Sequence, residues 1–89
     1  MKAYLVSYDL DKPGQDYTDL IRTIEGLGGK KCLYSEWFIA TNLNSSQLFD
    51  KLSPFIDRND RLLILGVTGE ATWWNLMVPD QTVRQLLVA

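Results

Sequence analysis

The residues of this 89-residue chain that are best suited to chemistry lie at the end of its first predicted strand. Asp9 closes an apolar run, and Asp11 follows two residues later. A carboxylate at such a position, paired with a second one, could hold Mg²⁺ or Mn²⁺ together with water and phosphate oxygens, and the ion would stabilise phosphoryl charge. Asp11 could serve as an auxiliary ligand. Asp9 is therefore the candidate catalytic and metal-binding residue. In the alternative interpretation Asp9 only accepts hydrogen bonds from backbone amides at a strand end, and Asp11 is a solvated loop residue.

Three lysines are the candidate nucleic-acid contacts. Lys12 follows Asp9 in the loop, and Lys30 and Lys31 lie close to Tyr34. The second group could form a small basic and aromatic strip for RNA or another single strand. The alternative is an edge strand that its lysines protect against aggregation. The chain has nine basic and eleven acidic residues, so its charge of −2 argues against general nucleic-acid binding.

The composition also excludes several chemistries. The chain has no histidine, which rules out a Ser-His-Asp triad and histidine zinc sites. Its single cysteine, Cys32, cannot form an intramolecular disulfide and is expected to be a small buried apolar residue. There is no apolar run of the roughly 18 residues that a membrane span needs, and no signal-peptide pattern at the start. We therefore predict a cytoplasmic location and no membrane partner.

Apolar periodicity and turn residues predict the elements in order. Strand-like runs occupy 1–10, 30–35, 36–42 and 61–67, and a short fifth strand is expected over 71–76. The first helix is predicted over 16–27, with Asp16 as N-cap and Gly28 as its left-handed stop. The second begins at the capping box of Asn44 and Gln47 and ends near Leu52, because Pro54 removes a helical hydrogen bond. A terminal helix is expected to begin at Asp80 as its N-cap.

This order predicts a single α+β domain over 1–89, with a core at about 2–68 and a C-terminal extension at about 70–89 of one short strand and one helix. Two helices can cover only one face of a four-stranded sheet, which is the ferredoxin-like βαββαβ arrangement with the first and third strands in the centre. An apolar uncovered face predicts a homodimer. The apolar run 61–67 is expected to have both faces covered. The expected dimer-interface residues are Tyr4, Val6, Tyr8 and Trp37.

Two stretches of the sequence resemble a known family. The segments YLVSYDL at 4–10 and YSEWFI at 34–39 resemble the CRISPR-associated Cas-two family. A group of stand-alone bacterial proteins, often labelled SinR-family, is a closer match. The similarity to that group includes the run 8–10 followed by Lys-Pro-Gly at 12–14, the Ser35 and Trp37 pair, and Asn59-Asp60. The resemblance covers about 2–68.

The resemblance implies a ferredoxin-like homodimer in which the Asp9 side chains of two subunits face each other. In Cas-two proteins such aspartates have been linked to a divalent metal and to phosphodiester cleavage, and the related VapD-type toxins are ribonucleases. Other Cas-two proteins are non-catalytic dimeric bridges for an integrase and DNA. This chain departs from the pattern in its sparse basic residues and in its Trp73-Trp74 segment.

Two functions therefore stay open at the level of sequence. One is a Mg²⁺- or Mn²⁺-dependent endoribonuclease that acts through paired Asp9 residues. The other is a non-catalytic dimeric interaction module, an adaptor or regulator that binds a protein or nucleic-acid partner.

Overall fold

A computed structural model describes residues 1–11 and 17–88 of the chain. The described residues form an α+β fold with a four-stranded antiparallel sheet and three α-helices. The elements are β1 (Lys2–Asp9), α1 (Thr18–Gly26), β2 (Lys30–Leu33), β3 (Glu36–Thr41), α2 (Ser45–Leu52), β4 (Arg61–Gly66) and α3 (Asp80–Leu87), with a short 3₁₀ helix over Ser53–Phe55.

The strands lie in the order β2-β3-β1-β4, and every neighbouring pair is antiparallel. The prediction that the first and third strands are central is confirmed. β2 and β4 form the two edges, and the order is compatible with a ferredoxin-like layout.

Helices α1 and α2 cover one face of the sheet and form the core with it. Each helix contributes two fully buried leucine or isoleucine side chains at helical spacing, and these pack against the central strands. The buried core consists of Tyr4, Val6, Leu20, Ile24, Trp37, Ile39, Leu48 and Leu52.

This core changes the assignment of the expected dimer-interface residues. Tyr4, Val6 and Trp37 are buried beneath the helices, and Tyr8 packs against the same cluster. The Trp37 indole Nε1–H also donates a hydrogen bond to the Tyr8 hydroxyl over 3.1 Å. Because strand side chains alternate, the face of β1 away from α1 and α2 is formed by the other set, in which Ala3 is buried and Leu5 and Ser7 are partly exposed. The alternation along β1 therefore agrees with the prediction, but Tyr4, Val6 and Tyr8 lie on the face covered by the helices and not on the face expected to form the dimer interface.

The predicted helix boundaries are confirmed at three positions. Gly28 adopts a φ of 84° just beyond α1, a conformation that glycine tolerates best. The side chain of Asn44 and that of Gln47 form a reciprocal capping box at the start of α2. Helix α2 ends at Leu52, just before Pro54. The predicted cap at Asp16 lies outside the described residues.

The C-terminal segment differs from its prediction. No strand forms over 71–76, where Asn75 has a φ of 55° that interrupts an extended chain. The Val67 amide donates to the Ala3 carbonyl, and the Met77 amide donates to the Cys32 carbonyl. The segment therefore spans the width of the sheet, from the β4 edge to the β2 edge.

The terminal helix is present, although its N-cap is one residue earlier than predicted. Pro79 is the N-cap of α3, and Asp80 lies in the first turn. Val83 is buried, so the helix packs on the domain. Within the two described ranges, no helix has the length and apolar character needed to cross a membrane.

Candidate functional site

Asp9 lies at the end of β1, directly opposite Arg61 of β4. The register of the two strands pairs these residues, and the Arg61 guanidinium donates to the Asp9 carboxylate over 2.9 Å. The Asp9 side chain is 70% exposed and that of Arg61 is 81% exposed. An ion pair so open to water contributes only about 0–1 kcal/mol, so it does not lock Asp9 in place.

Asp9 is not part of a cluster of potential metal ligands within residues 1–11 and 17–88. The structure places no group of three or more His, Cys, Asp and Glu side chains together in the part of the chain that it describes. Mg²⁺ usually keeps several waters and is bound through one or two carboxylates together with substrate phosphates. Asp9 offers one exposed carboxylate, and further ligands of a bound ion would come from water, phosphate oxygens or a second copy of the chain.

Lys30 and Lys31 lie away from Asp9. Both belong to β2, which is separated from β1 by β3, so two strand spacings, or roughly 10 Å, lie between them across the sheet. Lys30 pairs with Phe38 and Lys31 pairs with Trp37, so the two lysines point to opposite faces. A single protomer therefore does not bring these lysines to the aspartate.

A basic and aromatic contact does form beside β2. The Lys31 ammonium lies 5.9 Å from the centroid of the Tyr34 ring, within the range of a cation–π interaction. Tyr34 itself is exposed in the turn between β2 and β3. Lys12 lies outside the described residues.

Asp60 has a structural role in this region that the sequence, which predicts only a polar turn here, does not indicate. Its carboxylate accepts hydrogen bonds from the Asp11 amide at 2.7 Å, the Tyr17 hydroxyl at 2.9 Å and the Asp57 amide at 2.7 Å. These donors come from the chain after β1, the start of α1 and the turn before β4. The signal available in the sequence was the Asp57-to-Asp60 spacing of a tight turn that precedes a strand.

An apolar and charged surface, here called the open-face patch, lies on the uncovered side of β1 and β4. It consists of the register pairs Leu5 with Leu65, Ser7 with Leu63, and Asp9 with Arg61. Leu63 is 55% exposed and Leu65 is 52% exposed. The expectation that the apolar run of β4 is covered on both faces is wrong, because Leu63 and Leu65 share one face and each is more than half exposed.

The relief of the open-face patch is shallow. A depression of about 170 Å³ lies between β1 and β4, lined by residues that include Ser7, Asp9 and Arg61. Small-molecule sites usually have about 300–1,000 Å³. The patch is therefore better suited to a flat macromolecular contact than to a small ligand.

Cys32 is not part of a reactive site. The side chain is buried, and its thiol donates to the Glu36 carbonyl over 3.3 Å. Burial, assisted by the negative charge of Glu36, raises the pKa of the Cys32 thiol above its ordinary value of 9.0. The thiolate is the nucleophilic form, so this cysteine is inert at neutral pH, as its predicted apolar role requires.

The fold and its exposed residues define a small α+β domain in which α1 and α2 cover one of the two faces of the sheet. No family model, curated protein or solved structure matches the chain.

Proposed function

We propose that this chain is a homodimeric interaction module with a ferredoxin-like, Cas-two-like layout, in which two copies associate through the open-face patch. The observation that carries the proposal is the pair of leucines, Leu63 and Leu65, each more than half exposed next to Leu5. Burying a leucine fully is worth about 1.5–3 kcal/mol. A contact that covers two half-exposed leucines in each of two copies therefore gains several kcal/mol.

The charges of the patch favour a second copy as the occupant. A two-fold interface brings the same surface onto itself, so a patch with one sign of charge would repel its copy. Here Asp9 and Arg61 place both signs side by side, which makes the patch self-complementary. In the dimer, each arginine can bind the aspartate of the other copy.

The dimer leaves the helix-covered surfaces free for a protein or nucleic-acid partner, which is the role of an adaptor or regulator. We place it in the cytoplasm, where a reducing environment keeps a lone thiol such as that of Cys32 in its reduced form.

The dimer is tested by sedimentation equilibrium on wild type and on Leu63→Glu and Leu65→Glu. Each substitution would bury a carboxylate in an apolar contact, so we expect the dimer dissociation constant to rise at least tenfold, which corresponds to about 1.4 kcal/mol. Phe49→Glu is the matched control, because Phe49 is a similarly exposed apolar residue on α2. A wild type that sediments as a monomer at high micromolar concentration would refute the proposal.

A second function is favoured by the position of Asp9 on the same face as the exposed leucines. Dimerisation through this face would bring two Asp9 carboxylates to one surface, and we propose a Mg²⁺- or Mn²⁺-dependent endoribonuclease as the second candidate. A bound ion would supply charge stabilisation at the phosphodiester. Lys12 and Lys30 are the proposed contacts to the RNA strand at this face. Lys31 points to the other face beside Tyr34 and is the proposed contact to a more distant part of the strand. In this proposal the second carboxylate is Asp9 of the other copy, so the activity requires the dimer.

The second function is tested by RNA degradation with Mg²⁺, Mn²⁺ or a chelator. We expect Asp9→Asn to abolish cleavage and Leu63→Glu to reduce it by loss of the dimer, while Asp50→Asn on the exposed side of α2 has no effect. Cleavage by Asp9→Asn at the wild-type rate removes the catalytic function and leaves the interaction module standing.

A further inference from the structure

The segment between β4 and α3 forms one side of an open surface cavity that neither proposed function uses. It has a volume of about 810 Å³, within the usual range for small-ligand sites, and it is open to solvent. Its lining includes Trp73, Trp74, Asn75, Pro79 and Asp80. Two indoles and one carboxylate therefore share one concave surface.

The two tryptophans are held in different ways. The Trp73 Nε1–H donates to the Asp80 carboxylate over 2.9 Å, which ties the ring to the start of α3. Trp74 is 91% exposed, and the left-handed conformation of Asn75 follows it directly. A tryptophan held almost wholly in water is costly for a folded chain, and such residues are enriched where a ligand or partner binds.

The charge of the cavity selects the class of ligand. Asp80 is the one ionisable residue among the residues that line it. Within residues 1–11 and 17–88, the Asp80 carboxylate has no ion pair, and its only hydrogen bond is that from Trp73. Arg84, one helical turn away, lines a neighbouring depression together with Trp73 and Asp80, but it is not among the residues that line the cavity. The cavity thus combines one carboxylate with aromatic side chains. A phosphate or an oligonucleotide would meet like charge there.

The hydrogen bond between Trp73 and Asp80 strengthens this preference. An indole whose N–H donates to an anion is polarised toward a more electron-rich ring, because hydrogen-bonded groups polarise one another. Tryptophan is already the aromatic side chain that attracts cations best, and aromatic surfaces recognise quaternary ammonium groups in this way.

We propose that this cavity is a binding site for an organic cation of the alkylammonium class. Trp73 and Trp74 offer their ring faces to the alkylated ammonium group, and Asp80 supplies the compensating charge. The site lies in the C-terminal segment and does not depend on the dimer or on Asp9.

The probe for this site is choline, titrated into the full-length protein at constant ionic strength and followed by tryptophan fluorescence. We expect a saturable change in emission. The uncharged isostere 3,3-dimethyl-1-butanol has the same shape, and we expect it to bind at least tenfold more weakly because it lacks the cation–π attraction. Equal binding of the two compounds, or the absence of saturation with choline, overturns the proposal.

Two variants assign the binding to these residues. Trp74→Ala removes an exposed ring and is expected to weaken choline binding at least tenfold. Asp80→Asn removes the charge but keeps a carbonyl oxygen that can accept the Trp73 hydrogen bond, and it is expected to weaken choline binding while the melting temperature stays close to that of wild type. Tyr34→Ala, another exposed aromatic residue, is the control and should leave the affinity unchanged. Wild-type affinity in Trp74→Ala, or binding of a single-stranded oligonucleotide that Trp74→Ala abolishes, would contradict the assignment.

Discussion

At the scale of single residues, Asp60 connects three parts of the chain that surround the end of β1. Its two carboxylate oxygens accept hydrogen bonds from the Asp11 amide, the Tyr17 hydroxyl and the Asp57 amide. The donors are up to 49 residues away in sequence, so the carboxylate fixes the relative positions of segments that share no strand or helix. Asp60 directly precedes Arg61, the residue of β4 that pairs with Asp9, so these hydrogen bonds lie next to the Asp9 site.

We expect Asp60→Ala to destabilise the fold by about 2–3 kcal/mol, because partly buried donors lose a charged acceptor. The measurement is the free energy of unfolding in urea at neutral pH. Tyr17→Phe removes one of the donors and should cost about 1 kcal/mol. Asp50→Ala, an exposed aspartate on α2, is the control and should stay within about 0.5 kcal/mol of wild type. A change of similar size in the Asp50 and Asp60 variants would show that Asp60 has no special structural role.

The sequence could place Asp9 but could not predict its partner. An acidic residue after an apolar run marks a strand end, and the strand is found there. Arg61 lies 52 residues later, and only the antiparallel register of β1 with β4 brings it opposite Asp9. Such a long-range pairing depends on strand order and register, and local sequence does not specify either.

At the scale of elements, alternation in β1 predicted two side-chain groups but did not decide which face each occupies. The set with Tyr4 and Val6 and the set with Leu5 are both largely apolar, so the pattern is nearly symmetrical. The helices decide, because they cover the face that bears the larger side chains. In β4 the continuous apolar run indicated two covered faces, yet an edge strand of a half-covered sheet leaves Leu63 and Leu65 in solvent.

The missing fifth strand has a related cause. Trp73 and Trp74 have high strand propensity, which predicted an extended segment. In the structure the Trp73 ring is tied to Asp80 of α3, and Asn75 takes a left-handed conformation. Contacts with a later helix therefore override local propensity, and a single sequence window does not contain that information.

Three glycines at the end of α1 are expected to differ in how much a substitution by alanine changes the free energy of unfolding. A methyl group at Gly26 meets nothing within 4 Å, so Gly26→Ala should stabilise the protein by about 0.5–1 kcal/mol through reduced freedom of the unfolded chain. Gly28→Ala should cost about 1–2 kcal/mol, because residue 28 has a φ of 84°.

Gly29→Ala should cost the most of the three, about 3 kcal/mol or more. Its new Cβ would lie 2.6 Å from Ile24 Cγ2 and 2.7 Å from the Ile24 carbonyl oxygen. That carbonyl also accepts the Gly29 amide hydrogen bond, so the backbone cannot easily move away. Thermal and urea unfolding of the three variants would establish the order, and a Gly29→Ala protein as stable as Gly26→Ala would contradict it.

At the scale of the whole molecule, the half-covered sheet leaves the domain with one apolar surface that its own helices α1 and α2 do not reach. A chain of 89 residues buries a modest core, so association is an effective source of additional stability. The open-face patch has its leucines near the middle of β4 and its opposite charges at one end. In a two-fold contact this layout buries the leucines and gives each charge a partner from the other copy.

The charges make that geometry testable without changing the apolar surface. Asp9→Arg leaves two positive charges at the end of the patch, and Arg61→Asp leaves two negative charges. Each variant alone should dimerise at least tenfold more weakly than wild type, because like charges then face each other across the axis. An equimolar mixture should instead form heterodimers, which native mass spectrometry distinguishes from either homodimer by mass.

The matched control reverses a charge pair outside the patch, with Asp50→Arg mixed with Lys51→Asp, both on the exposed side of α2. That mixture should show statistical exchange only. The intramolecular pair of Asp9 and Arg61 is exposed and worth about 0–1 kcal/mol, so its loss should leave each subunit folded. If the two patch variants dimerise as wild type does and show no preference for each other, the charges lie outside the interface, and association through the patch with this two-fold geometry is incorrect.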